Sequence, residues 1–235
     1  MSKPFVFLLP GMLCDAAVWE HQTAALQAGF TLGIPVFRGF DCFDAMASHV
    51  LAQAPPRFSV VAHSMGGRVA MELLRRAPER IEHFVVMDMG VHAVTPGETE
   101  RNQRLLKLAA MGGLEAVADS WIPYMIHTDR CNDITLTTAI RTMVLRNELD
   151  DLRGQLLAAE RRHDQSRYLA GMRHKVHIIC GDSDNWNPPE LHQHMHAQLA
   201  DSVLEIIPQC GHMAPMEKPE AVNALLLKWL SEPLG

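Results

Sequence analysis

The stretch VVAHSMGGRVAME, residues 60–72, decides how the rest of the chain is read. A β-branched run enters His63-Ser64-Met65, and Gly66-Gly67 opens a helix, so a strand turns sharply into a helix with a serine at the bend. Such a turn needs small residues two places either side of the serine, because the backbone passes too close for larger side chains. Ala62 and Gly66 occupy those places. The pattern is the nucleophile elbow G-x-S-x-G with Ala for its first Gly. It exposes the Ser64 hydroxyl at the carboxyl edge of a parallel sheet, where open α/β folds bind ligands. A serine that merely caps a helix beside a glycine-rich turn fits the same residues, so the flanking sequence has to decide.

Upstream, Phe5–Leu9 is a continuous apolar run ended by Pro10-Gly11, as in a strand buried on both faces. Asp15 caps a segment with Ala17, Val18, His21 and Leu26 at helical spacing, and the pattern repeats as strand Thr31–Val36, helix Phe43–Ala54 and strand Phe58–Ala62. Downstream come a helix from Met65 to about Arg76 and a strand Ile81–Met87. Strands alternating with helices of this length build βαβ units and a parallel sheet. The alternation then stops. From about Thr95 to Gly171 helix follows helix: Glu100–Met111, Leu114–Trp121, Ile134–Asn147 and Leu149–Arg161. It resumes with strand Val176–Cys180, helix Pro189–Leu199, strand Val203–Ile207 and a closing helix Pro219–Leu230. The expected architecture is α/β: about six mostly parallel strands with helices on both faces, residues 1–94 and 172–235 forming the core and 95–171 an inserted helical cap. Length over a typical domain size gives about 1.6 domains, which a core plus insertion accounts for.

Composition excludes several classes. The 235 residues are 48% hydrophobic and 20% charged, enough for a sizeable core and far from disorder. Net charge is −6, with no basic run to engage nucleic acid. Cys14, Cys42, Cys131, Cys180 and Cys210 are scattered and odd in number, which suggests neither a disulfide framework nor a zinc site and makes a reducing cytoplasm the simplest compartment. The apolar start is too short for a signal core, and no stretch reaches the length of a membrane span.

Two further segments follow strands. ICGDSDNWNPPE, residues 179–190, offers Asp184 to orient an imidazole, with Asp182 as the turn-capping acid. IIPQCGHMAPMEKPE, residues 206–220, places His212 just beyond the last strand. Asp88, ending the fourth strand, is the reserve carboxylate. Ser64, Asp184 and His212 thus all fall at carboxyl ends of strands, in that chain order.

On PGMLCDAAVWE, AHSMGG, GDSDNWNP, QCGHMAPMEKPE and the helical block between them, nearly the whole chain resembles the α/β-hydrolase superfamily. Two departures are Pro10, where the family usually has the His of an HG turn, and Ala62; neither removes a catalytic group. The chain begins directly at the strand before that turn, so the N-terminal hairpin of larger relatives is expected to be missing. The resemblance implies Ser64 as nucleophile, His212 as general base and Asp184 as its orienting acid, with the backbone N–H groups of Met12 and Met65 as an oxyanion hole. It implies a small-molecule acyl substrate and no cofactor.

Met12, Met65, Met213, Trp186 and the cap residues Trp121, Tyr124 and Met125 are candidates to line an apolar pocket, with core packing the alternative for each cap residue. Arg68 follows Ser64 by one helical turn. SMGGR is similar to the matching segment of the menaquinone-pathway lyase of this fold, where the Arg contacts a substrate carboxylate; otherwise Arg68 is a surface residue of the elbow helix. His192, His194 and His196 lack a third ligand nearby, so no metal site is expected and an exposed helix face is their reading. A serine esterase is the leading function. The alternatives are a thioesterase or lactonase, a carbon–carbon hydrolase or lyase using the same groups, and a ligand-sensing receptor of this fold with little turnover.

Overall fold

The computed structural model describes residues 3–233. Six strands form one sheet in the order β2-β1-β3-β4-β5-β6: β1 Phe5–Leu9, β2 Thr31–Gly33, β3 Phe58–His63, β4 Ile81–Met87, β5 Val176–Gly181 and β6 Ser202–Ile207. Every pairing is parallel. The β2 strand stops three residues earlier than the sequence suggests, because it lies at the sheet edge and pairs only with Phe5, Val6 and Phe7.

The inner strands β1, β3, β4 and β5 show why their sequences run apolar without alternation: both faces are covered. Val6, Leu8, Val61, Val85, Met87 and Ile179 belong to one buried cluster, whereas Phe7, Leu9, Val60, Ala62, Phe84, Val86 and Ile178 belong to the other. Successive side chains thus enter opposite layers. The second layer is packed by α2 (Phe43–Gln53), α3 (Met65–Arg76) and α7 (Pro189–Gln198), and the first by α1 (Glu20–Leu26) and α9 (Pro219–Trp229).

Between β4 and β5 run α4 (Pro96–Met125), α5 (Ile134–Leu145) and α6 (Leu149–Glu160). Thr95 caps α4 through a reciprocal pair with Glu98. The two helices foreseen before and after residue 112 are both present within this span, joined by a kink at Gly112-Gly113, where neither residue is helical and Gly113 has φ +68°. Leu105, Val117, Ile140, Met143 and Leu152 share one buried cluster with Val6, Leu8, Val61 and Trp229. The helical segment is therefore packed into the same apolar core as one face of the sheet. Among the described residues no helix is long and apolar enough to cross a membrane.

Candidate active site

Ser64 sits at the tip of β3 with φ 52° and ψ −118°, a strained conformation that typically costs about 1–3 kcal/mol. Two backbone hydrogen bonds hold it, Ser64 N–H to Met87 O at 2.9 Å and Gly67 N–H to Ser64 O at 2.9 Å. The requirement for glycine two residues on is steric: a Cβ on Gly66 would lie 2.3 Å from Leu9 O. Neither Met12 N–H nor Met65 N–H finds an acceptor among the described residues. Both residues line the cavity over Ser64, and Met65 opens α3, whose N-terminal dipole favours negative charge.

The three sequence-selected side chains meet. His212 Nε2 accepts from Ser64 Oγ at 2.8 Å, and His212 Nδ1–H donates to Asp184 Oδ2 at 2.8 Å. The other Asp184 oxygen accepts from the N–H groups of Trp186 and Asn187, both at 2.8 Å, which fixes the carboxylate against rotation. Asp182 is the turn acid, accepting from Gln209 N–H and Cys210 N–H at 2.9 and 3.2 Å.

The loop bearing His212 is held by buried groups that sequence reading did not single out. His63 Nε2–H donates to His212 O at 2.8 Å, leaving His63 Nδ1 buried without a partner. Burial lowers the His63 pKa to about 3, so the ring is neutral. Asp88 is not hydrogen-bonded to His212; its two oxygens receive Gly181 N–H at 3.1 Å and Ala214 N–H at 3.3 Å, joining the end of β5 to the His212 loop. Burial, reinforced by nearby Asp184, raises the Asp88 pKa well above the usual carboxylate range. Glu217 accepts from Gly211 N–H at 2.9 Å and Met213 N–H at 3.3 Å through one oxygen, and from His127 N–H at 2.7 Å through the other. It ties the His212 loop to the chain just after α4. The helical segment also holds the turn after β1: Leu13, at φ 53°, donates to Gln155 Oε1 at 2.8 Å, and its carbonyl accepts from Asn147 Nδ2 at 2.9 Å. The two Leu13 bridges span 142 and 134 residues of chain and leave no local pattern.

Above Ser64 lies a cavity of about 70 Å³. Trp121, Met125 and Trp186 line it as foreseen, together with Met89, Asn187 and a polar end of Arg68, Glu98 and Arg162. Four expectations need correction. Tyr124 is 63% exposed and outside this cavity, because Trp121 and Met125, four residues apart, take the inward face of α4 and leave Tyr124 at its flank. Met213 is buried in the core below the cavity, its N–H held by Met125 O. Arg68 is no surface residue; it is 7% exposed, and its guanidinium donates to His92 O at 2.9 Å and Gln165 Oε1 at 3.4 Å. His192 likewise is buried instead of lying on an exposed face: Nε2 accepts from Met89 N–H at 3.0 Å, which leaves it a structural group.

One candidate cation cluster, Asp88, Cys180 and Asp184, exists among the described residues, but all four carboxylate oxygens already accept hydrogen bonds and burial pushes the Cys180 thiol pKa up. Cys14, beside Ser64 in the cavity wall, has its thiol pKa pushed up to about 12 by burial, so it does not compete as a nucleophile at neutral pH.

A parallel sheet with a serine on a strained strand-to-helix turn, hydrogen-bonded to a histidine beyond the last strand, defines a hydrolase-type α/β protein. The model of the alpha/beta hydrolase family matches residues 6–225, and the chain belongs to that family. Among curated proteins it is 27% identical, over 98% of this chain and 92% of the other, to a Shigella flexneri protein named "Putative carbamate hydrolase RutD". It is 26% identical, over 92% of this chain and 72% of the other, to the 2-hydroxy-6-oxo-6-phenylhexa-2,4-dienoate hydrolase of Burkholderia cepacia. Among solved structures the fold is shared with a thermophilic esterase from Thermogutta terrifontis (TM-score 0.87, 24% identity, 97% of this chain and 90% of that one). It is shared equally with the enol-lactonase from Burkholderia xenovorans LB400 (TM-score 0.90, 19% identity, 99% and 93%).

Proposed function

We propose that the protein is a serine hydrolase of small carboxylic esters, working through an acyl-enzyme. The observation that carries this reading is the chain of two 2.8 Å hydrogen bonds from Ser64 Oγ through His212 to Asp184, set at the floor of a cavity. Ser64 Oγ attacks the acyl carbon while His212 Nε2 takes its proton, then returns it to the leaving alcohol; water repeats the sequence to release the acid. Asp184 holds the tautomer with Nδ1 protonated. The Met12 and Met65 N–H groups receive the developing oxyanion, a role in which each donor is worth about 2.7–4 kcal/mol. Residues 95–171 serve as the cap that closes the cavity, and the cell's reducing interior is the compartment that suits five free thiols.

The size of the cavity favours short acyl groups. A cavity of about 150 Å³ accommodates a benzene ring, and this one is about 70 Å³. Purified protein is expected to hydrolyse p-nitrophenyl acetate faster than the butyrate, and Ser64→Ala to lower kcat by about 10⁴-fold or more. Turnover surviving Ser64→Ala would remove the proposal. A carbon–carbon hydrolase is the second reading, favoured by the likeness to the Burkholderia cepacia enzyme. In that case a vinylogous 1,5-diketone is cleaved and simple esters are turned over poorly.

A further inference from the structure

The polar end of the site contains several arginines whose hydrogen bonds differ sharply. Arg162 donates to both oxygens of Glu98 at 2.7 Å and to the carbonyls of His92, Ala93 and Ala159. Arg68 is engaged by His92 O and Gln165. Arg162 is a structural cation with its charge and donors directed at fixed protein acceptors, and Arg68 has no buried nitrogen left without one. Arg101, on α4, is the exception. Its Nε is buried without an acceptor among the described residues, and its nearest carboxylate oxygen, on Glu98, is 3.9 Å away and already claimed by Arg162. A buried donor left unpaired costs about 1–3 kcal/mol, which an arriving acceptor would recover.

The position of Arg101 is equally specific. Its guanidinium lies 3.9 Å over the Trp186 ring, and Trp186 stands between it and His212, the two aromatic centroids being 6.2 Å apart. Trp186 and Trp121 meet edge to face at 5.4 Å. This pair borders two cavities: the inner one of about 70 Å³ over Ser64, and an outer one of about 450 Å³ lined by Arg101, Arg104 and Asn185. Trp186 is a wall common to both cavities, with His212 on its inner side and Arg101, beside Arg104, on its outer side. Partial burial and the neighbouring arginines lower the Arg101 pKa, so an incoming anion improves its surroundings. A guanidinium presents paired N–H groups that match a carboxylate.

We propose that the outer cavity is a carboxylate subsite, and that the substrate is a short-chain acyl ester whose leaving group carries a carboxylate received by Arg101. The proposal rests on the hydrolase reading above for its chemistry, but the subsite is testable by binding alone. Two acetate esters serve as probes, 4-carboxyphenyl acetate and its neutral isostere 4-carbamoylphenyl acetate, together with their phenol products. Wild-type protein is expected to show at least a tenfold lower KM for the anionic ester, an advantage that shrinks in high salt. Arg101→Gln should raise that KM by about tenfold or more with kcat nearly unchanged, leave the neutral ester within about threefold, and be partly rescued by Arg101→Lys. Calorimetric titration with 4-hydroxybenzoate and 4-hydroxybenzamide should show the same tenfold preference and its loss. If both esters weaken equally in Arg101→Gln, or wild type shows no anionic preference in either assay, the subsite is refuted. If neither ester is hydrolysed yet 4-hydroxybenzoate binds with the Arg101-dependent preference, the subsite stands and the esterase reading falls.

Discussion

The sheet half and the helical half of this molecule contribute different things to one cavity. Ser64 and Asp184 follow the fully buried strands β3 and β5, and His212 follows β6 at the sheet edge. Trp121, Met125, Glu98, Ala159 and Arg162 come from the helical segment and shape the space above the serine. On the proposed function, chemistry is anchored in the part of the fold with the most regular hydrogen bonding, and selectivity in the part attached through a kinked helix pair and a few long-range side-chain bridges. The two halves share one apolar cluster, and Glu217, Asn147 and Gln155 hydrogen-bond across the boundary. The helical half therefore also stabilises the turn that carries Met12 and the loop that carries His212.

Substitutions that break this division should act in different ways. In the sheet half, Asp184→Asn preserves shape but offers a donor where His212 Nδ1–H needs an acceptor; kcat should fall by about 10⁴-fold for every ester alike, measured beside an unchanged circular dichroism spectrum. A loss below tenfold would show that His212 is oriented by something else. In the helical half the effect is smaller and selective, the tenfold change in KM at Arg101 described above. A third effect, on stability, is about as large for each pH unit as the tenfold change in KM. His63 has a pKa near 3 when folded and about 6.5 as a free side chain, so the unfolded chain binds the proton first. Its contribution to stability is complete above pH 6.5 and is lost as pH falls toward 3. For one such group, unfolding free energy declines by about 1.4 kcal/mol per pH unit across that window. His63→Gln, which keeps a donor for His212 O, should flatten the denaturant-derived slope by about that amount; an unchanged slope would mean that His63 is protonated in the fold.

Much of this was legible in the residues. The buried strands announce themselves as apolar runs, the elbow as small residues around Ser64, and Asp184 and His212 as an acid and a histidine in the loops that follow two strands. What escaped reading is long-range. Nothing local marks Glu217 as the acceptor for His127, or Gln155 as the acceptor for Leu13, since their partners are distant in sequence. The burial of Arg68 was hidden because helical periodicity places it near Ser64 without revealing that His92 and Gln165 cover it. His192 was misread for the same reason: a short polar-looking helix gave no sign that Met89 N–H needed an acceptor. Tyr124 shows the limit of aromatic content as a guide, since one step around α4 separates the wall of the inner cavity from that of the outer one.

The most direct test is reaction of the folded full-length chain with a fluorophosphonate, followed by mass-spectrometric mapping. The account predicts a single adduct at Ser64, with labelling slowed at least about 10²-fold in His212→Ala. An adduct elsewhere, or an unmodified Ser64 in folded protein, would contradict it.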